Sequence, residues 1–330
     1  MDMKQLILQF PTQLEDALQI AQQAQLHPHT SPIHHVVIAW LWGSGIGWTI
    51  IQDYAKIKSK LPVTVTKDYD LPYFVDQHTL LIACSYSGTT EETLAVTKQA
   101  ADKGAKIVCI SSGGTLGERA TQHSRDWIQI PWGMPPRACI GYSLVQQLVI
   151  CNFFGVFSND RTKDITSAIQ LLQNSTQALE QQATELAEQI YDKHIIIYAA
   201  SDKEWLIVRI RQQLNENSKV LCHHHVVPEM NHNELVGRGG GTDHHAVLWI
   251  HTQSDNERST YRMQLNQEVI SKYTPQQYHL TAQWDNHRAQ LFYIIHLTDL
   301  LSIAIAEQKW VDPIDIKVIN QLKSALAQKQ

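Results

Sequence analysis

The stretch TLLIACSYSGTTEET, residues 79–93, decides the fold class of this chain. It opens with a continuous apolar run, TLLIAC, which is typical of a strand covered on both faces in a parallel sheet. Apolar residues at helical spacing then run from Glu91 to Lys103 and stop at Gly104. The stretch therefore predicts a buried strand whose carboxyl end leads through a short polar loop into the first turn of a helix.

The same alternation of strand and helix continues along the chain. Strand-like runs cover 36–40, 63–66, 106–110, 127–130, 194–198, 219–227 and 246–251, and helical spacing covers 48–58, 142–157, 162–193, 203–214, 256–272, 287–307 and 312–327. This pattern predicts an α/β fold with two doubly wound parallel-sheet subdomains and flanking helices. The predicted domains are 1–158, which holds the 79–93 stretch, and 159–330, which begins with the long Gln-rich joining helix.

The composition indicates an ordinary globular protein. Of the 330 residues, 43% are apolar and 18% charged, and the formal net charge is -5, which argues against a nucleic-acid partner that needs a basic face. No apolar run looks long enough to span a membrane, and Met1 to Phe10 does not form a secretion signal. The five cysteines lack a CxxC pair and lie mostly in apolar runs. We therefore expect buried free thiols, a cytoplasmic setting and no membrane partner.

Hydroxyl side chains crowd the predicted start of the helix. They belong to Ser85, Ser87, Thr89 and Thr90, and Gly88 between them allows a close approach of the backbone. A helix N-terminus presents unpaired N–H groups and the positive end of the helix dipole, which together suit a phosphate. The alternative is an ordinary hydroxyl-rich helix cap. The density of hydroxyls favours an anion site.

A second glycine turn, Gly43-Ser44-Gly45-Ile46-Gly47, follows the first predicted strand. It lacks the full dinucleotide-binding spacing, the acidic residue that would bind a ribose, and the lysine of a P-loop. We interpret Gly43, Ser44 and Gly45 as a second wall of the same small-molecule pocket.

Seven short motifs, in their order along the chain, carry a resemblance to a known family. They are Gly43-Ser44-Gly45, Lys67-Asp68-Tyr69, Ser85-Tyr86-Ser87-Gly88 with Glu92-Thr93-Leu94, Ser112-Gly113-Gly114, Pro136-Arg137-Ala138, Asn215-Glu216-Asn217-Ser218-Lys219 and Pro228-Glu229-Met230-Asn231-His232-Asn233. Over most of its length the chain resembles the bifunctional phosphoglucose/phosphomannose isomerases of the sugar isomerase (SIS-domain) superfamily. The Ser-Tyr-Ser-Gly and Pro-Arg-Ala motifs are fairly specific, whereas the other matches depend on order and spacing.

The resemblance implies an isomerase that interconverts glucose 6-phosphate and/or mannose 6-phosphate with fructose 6-phosphate. It implies a metal-independent cis-enediol mechanism without a cofactor. The residues that it implies for the substrate phosphate are Ser44, Ser85, Ser87, Thr89 and Thr90. It also implies that Glu216 moves a proton between C1 and C2, that Arg137 lies near the enediolate, and that His232 opens the sugar ring. In this family the histidine comes from the neighbouring subunit, which implies a homodimer.

These residue types suit that chemistry, although each has a plainer reading. A carboxylate such as Glu216 can take a proton from one carbon and return it to the next, but it can also be an exposed helix end. A guanidinium stabilises negative charge on the enediolate oxygens, but Arg137 can also be a surface loop arginine. An imidazole suits ring opening near neutral pH, and Asn231 and Asn233 could orient the ring of His232 or form a helix cap with it.

One position departs from the family pattern. Some members carry a lysine on the C-terminal helix before a Val-x-Pro stretch. Placing Val311-Asp312-Pro313 on that stretch puts Ala304 at the lysine position, and Lys309 lies about one turn further on. The assignment of the ring-opening step is the part of the mechanism that this departure affects.

The runs His223-His224-His225 and His244-His245 raise the possibility of a zinc site. His223 and His225 would share one face of a strand, but no cysteine or carboxylate at characteristic spacing completes a ligand set. We therefore predict no metal. Two functional alternatives stay open: a sugar-phosphate sensor without catalysis, and an isomerase of a pentose phosphate or an amino-sugar phosphate.

Overall fold

The computed structural model describes residues 2–40, 51, 59–157, 162–240, 242, 244–282, 284, 286 and 289–327. The chain divides into two compact units: the first unit is Gln9–Gln173, and the second unit combines Met1–Leu8 with Asn174–Gln330. The predicted division between residues 158 and 159 falls before the long joining helix, whereas the two units divide within that helix.

A parallel sheet forms the centre of the first unit. In chain order, the elements as far as the joining helix are α1 (Met3–Leu8), α2 (Phe10–Gln23), β1 (His35–Trp40), β2 (Val63–Thr66), β3 (Thr79–Cys84), α3 (Glu91–Asp102), β4 (Lys106–Ser111), α4 (Gly114–Gln122), β5 (Asp126–Gln129), a 3-10 turn (Pro136–Ala138), α5 (Ile140–Phe153) and α6 (Thr162–Ile190). The strand order is β2-β1-β3-β4-β5, and every neighbouring pair is parallel. The chain order reverses between β1 and β3, which is the point where open α/β sheets bind ligands.

Strands β1 and β3 are apolar because both faces of the sheet are covered. Leu81 and Ala83 pack with Val96 and Ala100 of α3 on one face, and Leu80, which points to the other face, is also fully buried. Burying one such aliphatic side chain contributes about 2 kcal/mol, so this pair of strands forms a firm base for the loops at their ends.

The second unit contains a smaller parallel sheet. Its elements after α6 are β6 (His194–Ala200), a 3-10 turn (Ser201–Lys203), α7 (Glu204–Asn217), β7 (His223–Val227), a 3-10 turn (Glu229–His232), α8 (Glu234–Gly237), a 3-10 turn (Arg238–Gly240), β8 (His245–His251), α9 (Glu257–Ile270), β9 (Gln277–Thr281), α10 (Ala289–Gln308) and α11 (Lys317–Ala327). The strand order β7-β6-β8-β9 repeats that of β2-β1-β3-β4, and all pairs are parallel. The predicted α/β fold with parallel sheets is therefore confirmed.

Helix α10 corrects one expectation. It has 20 residues, and a window of 18 of them has a mean hydropathy of 1.6, so by length and composition it is able to cross a membrane, contrary to the sequence analysis. However, 94% of this stretch is buried inside the fold. The carboxylate of Asp299 accepts hydrogen bonds from Arg209 (2.5 Å) and Gln213 (2.8 Å) of α7. Burial raises the pKa of Asp299 although Arg209 opposes the shift. These features are those of a core helix with an internal ion pair.

Several element boundaries differ from the predictions. Helices α1, α2 and α4 and the edge strand β9 were not predicted, and β7 begins at His223 instead of residue 219. Helix α7 continues to Asn217 instead of ending at Leu214. The predicted helix 48–58 lies, apart from Ile51, outside the described residues.

The expectation of buried thiols holds for four of the five cysteines. Cys84, Cys109, Cys139 and Cys151 are buried and free, whereas Cys222 is partly exposed. Burial raises the pKa of Cys84 and of Cys109 to about 12, so these thiols stay protonated at neutral pH.

Candidate functional site

The loop 85–90 carries two pairs of hydroxyl groups at the end of β3. The buried Ser85 Oγ lies 2.8 Å from Thr90 Oγ1 and accepts a hydrogen bond from the Gly88 amide at 3.1 Å. Ser87 Oγ lies 2.9 Å from Thr89 Oγ1. The structure therefore brings together all four hydroxyls that the sequence analysis selected in this loop.

The first turn of α3 keeps its backbone donors available. Thr90 occupies the cap position, but its hydroxyl pairs with Ser85, and no side chain among the described residues caps the helix. A helix start without a cap has unpaired N–H groups, which is the arrangement that binds phosphate. The pairing with Ser85 therefore argues against the reading of this loop as an ordinary cap.

Two carboxylates in the same turn oppose an anion. Glu91 and Glu92 form the first turn of α3, and the Tyr69 hydroxyl donates a hydrogen bond to Glu91 Oε2 at 3.2 Å. Because these charges weaken the favourable end of the helix dipole, hydroxyl and amide hydrogen bonds have to supply most of the binding energy for a phosphate.

A second loop, which contains Gly113 and Gly114, lies against loop 85–90 with direct contact between the two backbones. Gly88 has φ 70°, and a Cβ atom there would lie 1.9 Å from the Gly113 carbonyl oxygen. A Cβ atom on Gly114 would lie 2.3 Å from the Ser87 carbonyl oxygen, and the Leu116 amide donates to the Gly88 carbonyl at 2.8 Å. Glycine is therefore required at both positions of closest approach.

Arg137 lies in the 3-10 turn Pro136–Ala138 and is only 3% exposed. The turn is held on one side by Gln13, whose amide nitrogen donates to the Ala138 carbonyl at 2.7 Å. Arg137 is therefore not the surface loop arginine of the plainer reading. A buried guanidinium is a fixed positive charge in a low-dielectric setting, as stabilisation of an enediolate requires.

Glu216 lies inside the last turn of α7, not after the helix as the sequence analysis expected. The neighbouring Asn217 donates to Ser302 Oγ at 2.9 Å, and the Ser218 hydroxyl donates to the Ser302 carbonyl at 2.6 Å. Lys219 Nζ donates to the carbonyl of Glu216 itself at 2.5 Å. These contacts fix the backbone of a residue whose side chain is partly exposed, which suits a base.

His232 is the last residue of the 3-10 turn Glu229–His232 and is exposed. The two flanking asparagines have other partners. Asn231 donates to Asn266 Oδ1 at 2.5 Å, and Asn233 caps α8 by accepting from the Glu234 amide. The suggestion that these amides orient the imidazole is therefore not supported by their contacts, and Asn233 is a helix cap.

The remaining candidates fall in different places. Gly43, Ser44 and Gly45 lie outside the described residues. Ala304, at the lysine position of some relatives, lines a shallow depression beside an ion pair between Lys4 and Glu180 (2.9 Å). Lys309 follows the end of α10. Ser85, Ser87, Thr89, Thr90 and Arg137 thus belong to the first unit, and Glu216 and His232 belong to the second unit.

The histidine runs form a hydrogen-bonded group around a carboxylate. His223 bonds to His194 (3.0 Å) and to Glu234 Oε1 (3.0 Å), and Tyr198 and Arg238 also donate to Glu234. Burial alone would raise the pKa of Glu234, but these donors lower it to about 2. His225 Nδ1 instead accepts from the Val226 amide at 2.8 Å, so His223 and His225 have different hydrogen-bond partners. The carboxylate partner was missed because it follows on a separate helix.

Sequence reasoning also gave Tyr86 no role, although it lies in the phosphate loop. Its hydroxyl accepts a hydrogen bond from the Met134 amide at 3.0 Å, close to Arg137 in the chain. The signal in the sequence was a single large aromatic residue among small hydroxyl residues. Its partner could not be identified without the fold.

Comparisons with known proteins find relatives of this chain by sequence. A family model described as the bacterial phospho-glucose isomerase C-terminal SIS domain matches residues 179–326. A bifunctional phosphoglucose/phosphomannose isomerase of Caldicellulosiruptor bescii is 32% identical over 98% of this chain and 98% of its own length. A D-glucosamine-6-phosphate 4-epimerase of Sulfolobus acidocaldarius is 36% identical over 54% of this chain and 60% of its own length.

A similar fold occurs in solved structures. The C-terminal domain of glucosamine-fructose-6-phosphate aminotransferase from Francisella tularensis has a TM-score of 0.73 at 16% identity, covering 94% of this chain and 96% of that chain. At this identity the likeness concerns the fold alone. The likeness to the Caldicellulosiruptor bescii isomerase extends over nearly the whole of both chains. By that relationship, the chain is a member of the bifunctional phosphoglucose/phosphomannose isomerase family.

Proposed function

We propose that this protein interconverts glucose 6-phosphate and/or mannose 6-phosphate with fructose 6-phosphate. The observation that carries the proposal is the uncapped start of α3, lined by two hydroxyl pairs at the ligand-binding point of the first sheet. Two relatives that match 98% and 90% of the chain are named bifunctional phosphoglucose/phosphomannose isomerases. Ser85, Ser87, Thr89 and Thr90 would hold the phosphate, with Ser44 as a further donor.

The proposed reaction is a proton transfer through a cis-enediol without a metal. Glu216 takes the proton from C2 of the aldose and returns it to C1, and the reverse reaction uses the same group. Arg137 stabilises the negative charge on the enediolate oxygens. The contacts that fix the backbone beside Glu216 and the burial of Arg137 support these roles.

His232 is proposed to open the sugar ring by donating a proton to the ring oxygen. Its exposure to solvent supports a further proposal, that it serves a neighbouring subunit in a homodimer. A cytoplasmic setting is proposed from the buried free cysteines, which do not need an oxidising compartment.

The test is turnover of fructose 6-phosphate in a coupled assay with the Glu216→Gln variant. We expect this variant to lose about a thousandfold or more in kcat, because the amide cannot accept the proton, while it binds inorganic phosphate as before. Glu204→Gln is the matched control, since Glu204 is an exposed carboxylate at the other end of α7. Full turnover by Glu216→Gln would refute the assignment of the base.

A second candidate is action on an amino-sugar phosphate, which the similarity to a D-glucosamine-6-phosphate 4-epimerase favours. The same assay series, extended to glucosamine 6-phosphate and pentose phosphates, ranks these substrates by kcat/KM. Binding of all of them without turnover would favour a sensor instead of an enzyme.

A further inference from the structure

Tyr86 connects the phosphate loop to the turn that carries Arg137, within the first unit. It lies between Ser85 and Ser87, the two serines of the phosphate loop, and its side chain is 5% exposed. The Met134 amide, three positions before Arg137 in the chain, donates to the Tyr86 hydroxyl at 3.0 Å. The phosphate loop and the arginine turn are therefore joined through one phenol.

The phenol also meets the chain on the other side of Arg137. It interacts with the thiol of Cys139, which in turn donates to the Pro135 carbonyl at 3.3 Å. Burial and the neighbouring Cys139 raise the pKa of Tyr86, so the phenol stays neutral and keeps both its donor and its acceptor capacity at physiological pH. The Tyr86 hydroxyl therefore contacts the chain on both sides of Arg137, at Met134 and at Cys139.

The backbone and ring of Tyr86 are held as firmly as its hydroxyl. Its carbonyl accepts from the Ser112 amide at 2.9 Å and from the Ser112 hydroxyl at 2.6 Å. Its ring stacks on Trp132 with centroids 5.8 Å apart and an interplanar angle of 15°. A displacement of the phosphate loop at Tyr86 is therefore transmitted to the arginine turn instead of being absorbed locally.

We propose that Tyr86 is a positioning residue that couples phosphate binding in loop 85–90 to the placement of the Arg137 guanidinium. In this proposal, the bound phosphate fixes the positions of Ser85 and Ser87 and thereby that of the Tyr86 phenol between them. The phenol then positions the Arg137 guanidinium beside the enediolate. By linkage, negative charge beside Arg137 strengthens phosphate binding to the same degree. This inference rests on the role proposed for Arg137.

The decisive variant is Tyr86→Phe, which keeps the stacked ring and removes only the hydroxyl. We expect kcat for fructose 6-phosphate to fall about tenfold with little change in KM, because a hydrogen bond is lost from the arginine turn and not from the phosphate. Tyr142→Phe is the matched control. Tyr142 is also 5% exposed, but its hydroxyl donates to Asp16 of α2 at 3.3 Å. An equal kcat for both variants overturns the proposal.

A binding experiment separates this inference from the proposed function. The probes are inorganic phosphate and a five-carbon sugar-phosphate hydroxamate, whose planar group imitates the enediolate. Tyr86→Phe should weaken the hydroxamate about tenfold and inorganic phosphate less than about twofold. Equal loss for the two probes overturns the coupling, as does hydroxamate binding to the unmodified protein no tighter than inorganic phosphate. Absence of turnover in the unmodified protein refutes the isomerase proposal alone.

A double-mutant cycle locates the effect at Arg137. In an Arg137→Ala background, Tyr86→Phe should cause no further loss of hydroxamate affinity, because the group that it positions is gone. A further tenfold loss would mean that Tyr86 acts independently and overturns the proposal. If Tyr86→Phe does not fold, Cys139→Ala removes the second contact of the phenol. This variant should weaken binding of the hydroxamate more than binding of inorganic phosphate.

Discussion

At Gly88 one missing methyl group lets two loops touch. The residue has φ 70° and contacts the backbone of Gly113. Loop 85–90 and the loop of Gly113 are in van der Waals contact only because neither has a side chain there. Gly155 has nearly the same dihedral angle, φ 68°, but no described atom lies within 4 Å of the position of its Cβ. Comparing the two glycines therefore distinguishes backbone strain, which an alanine would meet at both positions, from steric overlap, which it would meet at Gly88.

We predict that Gly88→Ala abolishes measurable phosphate binding and lowers the free energy of unfolding by about 3 kcal/mol, whereas Gly155→Ala costs about 1 kcal/mol. Both alanines meet the same left-handed strain, but only the one at Gly88 collides with a carbonyl oxygen. Urea denaturation and calorimetry with inorganic phosphate measure the two effects. Equal costs for the two variants would contradict the close packing of the loops.

At the scale of the elements, the sequence predicted buried helices and strands more accurately than exposed ones. The apolar run of β3 gave its bounds correctly because a strand covered on both faces has no polar positions to confuse the reading. The edge strand β9, QYHLT, was missed because four of its five residues are not buried. The last turn of α7 was missed because Asn217 and Ser218 are held by Ser302, a contact between residues far apart in the chain.

The candidate site shows the same limit. The four hydroxyl residues of loop 85–90 lie within six positions of one another in the sequence, so their clustering was predictable. The connection from Tyr86 to Met134 and the pairing of His223 with Glu234 depend on how separate elements pack. Composition and spacing carry no information about such contacts.

The group around Glu234 joins β6, β7 and α8 and should make stability depend on pH. The groups that face Glu234 are Tyr198, His223 and Arg238, and His194 lies beyond His223. Because the pKa of Glu234 falls to about 2 in the folded state, its stabilisation is complete above its ordinary value of 4.5 and is lost as the pH falls toward 2.

We therefore predict that Glu234→Gln lowers the urea midpoint at pH 7 and that the difference from the unmodified protein shrinks steadily between pH 5 and pH 2. The expected loss at pH 7 is on the order of a few kcal/mol. Glu229→Gln, a nearby exposed carboxylate, should leave the profile unchanged. A difference independent of pH would show that the charge of Glu234 does not contribute.

At the scale of the whole molecule, the two sheets repeat one strand order but end in different loops. Strand β8 corresponds to β3, and helix α9 corresponds to α3. After β3 the helix start has no cap among the described residues, whereas after β8 Asn256 caps α9 by accepting from the Arg258 amide at 2.9 Å. The carboxylate of Asp255 accepts from the Thr252 amide at 2.9 Å and the Thr252 hydroxyl at 2.7 Å, and lies 3.7 Å from Lys203 Nζ.

We predict one phosphate-binding site per chain. Calorimetry with inorganic phosphate should give a stoichiometry near one, and Ser85→Ala combined with Ser87→Ala should remove the binding entirely, because the Thr252 donors in the loop after β8 already bind the Asp255 carboxylate. The matched control is Thr252→Ala with Ser254→Ala in the corresponding loop, which should leave phosphate affinity unchanged. Phosphate binding that remains after Ser85→Ala with Ser87→Ala would contradict the prediction of a single site per chain.

The ion pair of Asp255 and Lys203 gives the second sheet a permanent internal anion. Under the proposed function, the substrate phosphate supplies the anion at the corresponding place in the first sheet. In the second sheet the chain supplies both the charge and its counterion. Under the proposed function, the two sheets share one strand order but differ in the source of this anion, which is the substrate in the first sheet and Asp255 in the second sheet.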